Sequence, residues 1–374
     1  MTKILYVGGF ELPDKGAAAI RVMNNAKLFR AAGYEVHMLG VHKKSNQNTI
    51  KGSYDGFEYQ TVQYPDSFKR WFWYLMRFSS LRIIDDIKPD VVILYDFPGF
   101  AILKWREYCS RKGIKVIGDV TEWYLPSGNF IQKILRWIDI SVRMRFSHHK
   151  LDGMITISKY LFNYYNKKPR FLLPPLMDKN AFMINNELPQ TLTLVYAGTG
   201  GIRKDRLDCV IDAINLMDNP NIRFKIVGIK ESQYKEMFQK NFEDKWNCVV
   251  FKGRLEHDAA VEEIRSSHFQ IFVRPVNRVT TAGFPSKLVE SFSLGVPVIT
   301  NKTSNISDFV VSGVNGFLLE SYNPEEIKTQ LGEILKLDNE RLLEIRGNCK
   351  NDTSFDYHSY IEGLKNFINI TKEC

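Results

Sequence analysis

The sequence predicts an α/β protein made of two successive doubly wound parallel-sheet domains. Three observations carry that prediction. Short apolar runs of strand character alternate with amphipathic helical patterns almost from end to end. The rhythm breaks once, at LLPPLMDKNAFMINNELPQ (172–190), which holds three prolines and no periodicity. The chain also opens alike on both sides of the break, with ILYVGG at 4–9 and LVYAGTGG at 194–201, each an apolar strand running into a glycine turn.

In order, the first domain (1–173) begins with a strand at Ile4–Val7, a helix from about Ala17 to Ala32 and a strand at Glu35–Leu39. Further buried strands are expected at Val91–Tyr95, Lys115–Gly118 and Met154–Ile157, each followed by a helical pattern. Residues 174–190 read as a hinge linker. The second domain (191–354) starts with Leu192–Tyr196 and a helix from about Lys204 to Met217. Strands at Arg223–Val227, Val249–Phe251, Gln270–Val273 and Val298–Thr300 then alternate with helices near Gln233–Phe242, Asp258–Ser266 and Pro285–Leu294. The last pattern, within 355–374, is amphipathic: it is either a helix returning to the first domain or an ordinary terminal helix. Two facing domains of this kind set their strand ends and helix N-termini on one cleft.

Composition narrows the function classes. The chain has 374 residues, 44% hydrophobic and 13% aromatic, so it can bury two cores and is not a disordered chain. No apolar run reaches the ~18–20 residues that span a bilayer. The opening MTKILYVGGF has a strand pattern and not that of a signal peptide, so a cytoplasmic protein is expected. Five scattered cysteines without C-x-x-C suggest neither a disulfide framework nor a zinc ribbon. The only close histidine pair is His148-His149, and no protein-bound metal is expected. Charge is uneven: residues 1–170 carry 27 basic and 15 acidic side chains, and 171–374 carry 24 and 27. The first half should therefore be drawn to phosphates or anionic surfaces. No RRM, KH or zinc pattern supports nucleic acid as the partner.

The segment most specific for chemistry is AGFPSKLVESFSLGVPVITN (282–301). Pro285 suits a first helical turn, and Gly283 lets a ligand approach the backbone. Lys287 and Glu290 share a helix face, with the lysine nearer the N-terminus. A cation beside free N–H groups suits a diphosphate, and a carboxylate one turn deeper suits the two adjacent hydroxyls of a ribose. The alternative is a solvated Lys–Glu pair.

GFPSKLVESFSLGVPVI resembles the nucleotide-sugar signature of GT-B glycosyltransferases, in particular glycosyltransferase family 4 (group 1). Other pieces follow the family's order: the glycine-rich loop with Gly8, Gly9 and Gly16, DGMITISKYL (152–161), LLPPLMD (172–178) and FKGRLEHDAAVEEIRSSHFQIFVRP (251–275). The resemblance implies a GT-B architecture of two Rossmann-like domains facing across a cleft. It also implies transfer from a nucleotide diphosphate sugar with retention of anomeric configuration. By that resemblance Glu290 holds the donor ribose, Lys204 neutralises the diphosphate alongside the Lys287 read from its helix position, Gly253 and Arg254 stand where backbone groups read the base, and Gly283 and Phe284 open the donor segment. Thr199 replaces the family's phosphate-binding arginine, and Arg203 is the candidate substitute. Ala282 stands where the family's first glutamate contacts the donor sugar, with Thr280 or Thr281 as alternative contacts. Backbone readout does not separate UDP from GDP.

The first domain should supply the acceptor side. Asp119 and Glu122 follow a buried strand in VIGDVTEWY, and either could orient the acceptor hydroxyl or take its proton. Asp96, after VVILYD, has the same topological claim. Gly16 lets the backbone approach the donor phosphate, and Arg21 could reach the acceptor. Two segments mix bases and aromatics, FKRWFWYLMRFSSLR (68–82) and FIQKILRWIDISVRMRFSHHK (130–150). Their apolar stripes, Trp71–Leu75–Phe78 and Ile131–Leu135–Ile138–Val142, are either core-facing or seated on anionic lipid. The expected function is transfer of a sugar to a glycan or lipid-linked acceptor, without a bound cofactor, at the inner face of the cell membrane. The alternatives are a nucleotide-sugar epimerase or hydrolase, or a non-catalytic membrane- or nucleic-acid-binding module. An NAD-dependent oxidoreductase is disfavoured, because neither glycine turn gives G-x-G-x-x-G.

Overall fold

The computed structural model describes residues 1–373 except Asp14, 44–48, Ser127, 179–187, Phe242, Glu243 and Lys245. The chain forms two compact units, Met1–Leu176 with Asp356–Cys374, and Met177–Phe355. Most of the linker expected at 174–190 lies outside the described residues.

The first unit runs β1 (Lys3–Gly8), α1 (Gly16–Ala31), β2 (Glu35–His42), β3 (Thr49–Tyr54), β4 (Phe57–Gln63), α2 (Phe68–Arg77), α3 (Arg82–Ile87), β5 (Val91–Tyr95), α4 (Gly99–Ser110), β6 (Lys115–Val120), α5 (Phe130–Val142), β7 (Gly153–Thr156), α6 (Lys159–Tyr164) and β8 (Arg170–Leu172). These strands form one sheet in the order β3-β4-β2-β1-β5-β6-β7-β8. All pair in parallel except β3 with β4, a hairpin turning on Asp55-Gly56, both at positive φ. That hairpin is an addition to the expected βα rhythm. The chain starts mid-sheet and reverses direction between β1 and β5, the switch point where α/β sheets open a crevice at their strand ends.

The second unit runs β9 (Leu192–Ala197), α7 (Leu207–Met217), β10 (Ile222–Val227), α8 (Glu231–Phe238), β11 (Val249–Gly253), α9 (His257–Arg265), β12 (Phe269–Phe272), α10 (Arg278–Ala282), α11 (Ser286–Ser293), β13 (Val298–Asn301), β14 (Gly316–Leu319), α12 (Pro324–Ile334) and α13 (Asn339–Asn351). Its sheet is wholly parallel, in the order β11-β10-β9-β12-β13-β14, with the switch point between β9 and β12. The helix expected to begin at Lys204 begins at Leu207, and residues 202–204 form a turn that carries Arg203 and Lys204 on the surface.

The last helix, α14 (Ile361–Glu373), belongs to the first unit. Its apolar face places Leu364, Phe367 and Ile368 in the core with Ile4, Tyr6 and Val22, and Phe367 stacks on Phe171 at 5.7 Å. Among the described residues, no helix is long and apolar enough to cross a membrane.

Candidate functional site

In the second unit, the ends of β9, β10 and β11 are tied by glycine backbones. Gly198 donates its N–H to the Val227 carbonyl at 3.0 Å, and Gly228 donates to the Gly253 carbonyl at 2.7 Å. A Cβ on Gly228 would sit 2.3 Å from the Gly198 oxygen, which only glycine avoids. Gly253, at φ 64, ends β11 in a conformation that other residues rarely adopt.

This glycine rim holds an ionic cluster at the switch point. Asp205, buried after the 202–204 turn, accepts hydrogen bonds from the Tyr196 hydroxyl at 2.7 Å and the Lys287 ammonium at 2.8 Å. Arg274, after β12, brings its Nε to 3.7 Å from the other Asp205 oxygen and donates to the Lys204 carbonyl at 3.2 Å. Burial works to raise the Asp205 pKa, yet Lys287, Tyr196 and Arg274 together hold it below the usual carboxylate range. Lys287 is thereby fixed on the first turn of α11 beside Gly198, where a Cβ would come within 2.7 Å of its Cε. The sequence offered no sign of Asp205 as its anchor. One carboxylate against two cations leaves the cluster net positive, and Lys204 and Arg203 are exposed on the adjoining turn.

Glu290 lies one turn along α11 from Lys287. Burial raises its pKa, with His257 at the start of α9 and Lys287 opposing the shift. Among the described residues its carboxylate has no hydrogen-bond partner, although half-buried. A desolvated acceptor without a donor is costly. Lys287 and Glu290 lie one turn apart on α11, and the charge of His257, at the start of α9, acts on Glu290. His257 was not legible as a neighbour of Glu290.

Other expected residues are placed differently. Phe284 is buried, with its ring against Phe309 at 5.4 Å and Phe355 at 6.0 Å, so only its backbone could meet a ligand. Gly283 is buried and donates to the Val279 carbonyl at 3.0 Å. Ala282 is fully buried at the end of α10. A glutamate there would bury a carboxylate. Thr280 does not compensate: its hydroxyl donates to the Pro275 carbonyl and accepts from the Asn277 N–H inside a capping box.

In the first unit, Gly16 stands at φ 85 at the head of α1, with open space where a side chain would project. Asp119 is not positioned as a base. Its side chain is fully buried and both oxygens are engaged by Arg21, at 2.8 and 3.1 Å, with the Tyr6 hydroxyl as a further donor. Arg21 also donates to the Leu173 and Pro174 carbonyls, so neither member of this pair reaches out to an acceptor. The pair ties β6 to α1 and to the end of the unit's main segment. Glu122 is half-buried on the loop beyond β6, where its charge acts on Asp96 and Tyr124. Among the described residues, no group of three or more His, Cys, Asp or Glu side chains could hold a metal ion.

Residues 180–351 match the family model for glycosyl transferases group 1. That stretch, just under half of the chain, is similar to the family. Over 220 residues it is 26% identical to the uncharacterized glycosyltransferase MJ1178 of Methanocaldococcus jannaschii, a match covering 57% of this chain and 58% of that one. Among solved structures, sucrose-phosphate synthase from Thermosynechococcus elongatus aligns with TM-score 0.71 at 13% identity, over 99% of this chain and 98% of that one. Anabaena HepE in complex with UDP aligns with TM-score 0.66 at 14% identity, over 98% and 100%. The chain therefore has the GT-B type of fold, two Rossmann-like parallel-sheet units.

Proposed function

We propose that the protein moves a sugar from a nucleoside diphosphate sugar to an acceptor hydroxyl, as a family 4-type glycosyltransferase. The observation that carries this reading is the Glu290 carboxylate, desolvated and, among the described residues, without a hydrogen-bond donor, one turn beyond a lysine anchored on a buried carboxylate. Two ribose hydroxyls would satisfy it, and the diphosphate would then lie over Lys287, the glycine rim and the first turn of α11. HepE has been solved with UDP and with UDP-glucose, which favours UDP over GDP as the nucleotide here.

In transfer, the leaving diphosphate gains charge as the glycosidic bond breaks. Lys287, Lys204 and the N–H groups of α11 stabilise that charge without a metal ion. Glu122 orients the acceptor hydroxyl and accepts its proton, since Asp119 is committed to Arg21. Retention of configuration follows from the family resemblance. The acceptor is a lipid-linked or growing surface glycan, met at the inner face of the membrane, because α2 and α5 expose Phe72, Trp73, Ile131 and Trp137 amid basic residues. Mass spectrometry of the ligand retained by the protein from a nucleotide-sugar library tests the donor half. A UDP-sugar, with transfer undiminished by EDTA, is the expected result; no retained nucleotide sugar would refute it.

A further inference from the structure

Lys287 stands in a socket that three residues build around it. Its ammonium donates to Asp205 Oδ2 at 2.8 Å and lies over the Tyr196 ring, 5.0 Å from its centre. Its chain passes so close to Gly198 that a Cβ there would come within 2.7 Å of Cε and 2.9 Å of Nζ. The same Asp205 oxygen accepts the Tyr196 hydroxyl at 2.7 Å, so the ring under the ammonium is pinned by the carboxylate that binds it. The parts come from separate elements: Tyr196 from β9, Gly198 from the turn that follows it, Asp205 from just before α7, and Lys287 from α11.

A buried carboxylate is out of place beside an anion site on charge alone, since it repels phosphate and offsets the cation next to it. The geometry gives it another use. A lysine side chain is flexible and loses rotamer freedom when it grips a ligand. Held in one orientation before the ligand arrives, it has less freedom to lose. The Asp205 side chain is 6% exposed and that of Lys287 19%, so the anchor is deep while the ammonium still meets solvent. Among the described residues the Asp205 contact is the one hydrogen bond the ammonium makes. Two of its three N–H donors therefore remain for another acceptor.

We propose that Asp205 and Tyr196 are positioning residues for the donor: they act through Lys287, presenting its ammonium to the diphosphate in one fixed orientation. The proposal rests on the glycosyltransfer reading and deepens it at the donor site. Two effects oppose each other when Asp205 loses its charge. Repulsion of the phosphates falls, which strengthens binding, and the ammonium loses its anchor, which weakens it. The second is the larger here. Asp205 already faces Lys287 on one oxygen and the Arg274 Nε, at 3.7 Å, on the other, so it shows a ligand little uncompensated charge.

The test is a double-mutant cycle through Lys287. UDP and GDP are titrated, with saturation-transfer NMR to reach weak affinities, into the full chain, Asp205→Asn, Tyr196→Phe, Lys287→Met and the two double variants. Asp205→Asn should weaken nucleotide binding about tenfold and Tyr196→Phe about threefold, the scales of a charged and a neutral hydrogen bond. With Lys287→Met already in place, neither should weaken it further. General damage to the fold is common to both backgrounds and cancels in the cycle. Tyr196→Phe keeps the ring and its volume, so it carries the test if Asp205→Asn does not fold. Unchanged or tighter binding by Asp205→Asn, or the same weakening in both backgrounds, would overturn the proposal. A wild-type chain that binds neither nucleotide would remove the donor reading itself, and this proposal with it.

Discussion

Glu290 and Asp119 show how one residue type takes opposite roles from its neighbours. Asp119 is deep and saturated, and its loss would strand Arg21 as an unpaired buried cation. Asp119→Asn is therefore expected to cost about 3–5 kcal/mol, read as a lower urea midpoint. Glu290 is desolvated without a donor, and its folded pKa stands above the ordinary glutamate value near ~4.3. The folded state then binds more protons than the unfolded chain, so this group lowers stability as pH rises from that value through its folded pKa. Glu290→Gln should match wild type near pH ~4 and melt higher than wild type at pH ~7, a stability gained at the expense of function. Equal melting temperatures at both pH values would remove the desolvation argument. At this scale the sequence was legible where spacing carries the chemistry, as for Lys287 and Glu290 on one helix face. It was silent where the partner is remote in sequence: Asp205 is 82 positions from Lys287, and Arg21 is 98 from Asp119.

Among the elements, α2 and α5 depart furthest from an ordinary βα layer. No residue of α2 is fully buried, and Asp139 is the one buried residue of α5. Phe68, Phe72 and Trp73 on α2, with Phe130, Ile131 and Trp137 on α5, are exposed beside Lys69, Arg70 and Lys133. Of the two stripes that sequence spacing allowed as core-facing, only Phe78 is buried; Ile131 is 65% exposed. Vesicle flotation should show binding that requires anionic lipid, weakens with salt and falls when Trp137 becomes Asp. Binding indifferent to lipid charge would rule the docking out. Much of the remaining strand and helix order was readable from apolar period, but the short strands β8 and β14 and the helices α12 and α13 were not named from it. The hairpin β3–β4 carries an Asp-Gly turn signal but interrupts the βα rhythm, and α7 starts three residues late because Asp205 is drawn into the ionic cluster.

For the whole molecule, the asymmetry of charge and the repeated strand–glycine opening state a division of labour. The basic first unit has the exposed helices; the second has the glycine rim, the Lys287–Asp205 anchor and the desolvated Glu290. Each sheet places its chemistry at its own switch point, as parallel α/β architecture dictates. The return of α14 to the first unit makes that unit discontinuous in sequence, which the tail's amphipathic pattern left open. The central claim is that Glu290 and Lys287 grip a nucleoside diphosphate. Isothermal titration of UDP into wild type, Glu290→Gln and Lys287→Met tests it directly. The account predicts measurable binding by wild type and a loss of about ten- to a hundredfold in each variant, the worth of a charged hydrogen bond; wild-type affinity in both variants would contradict it.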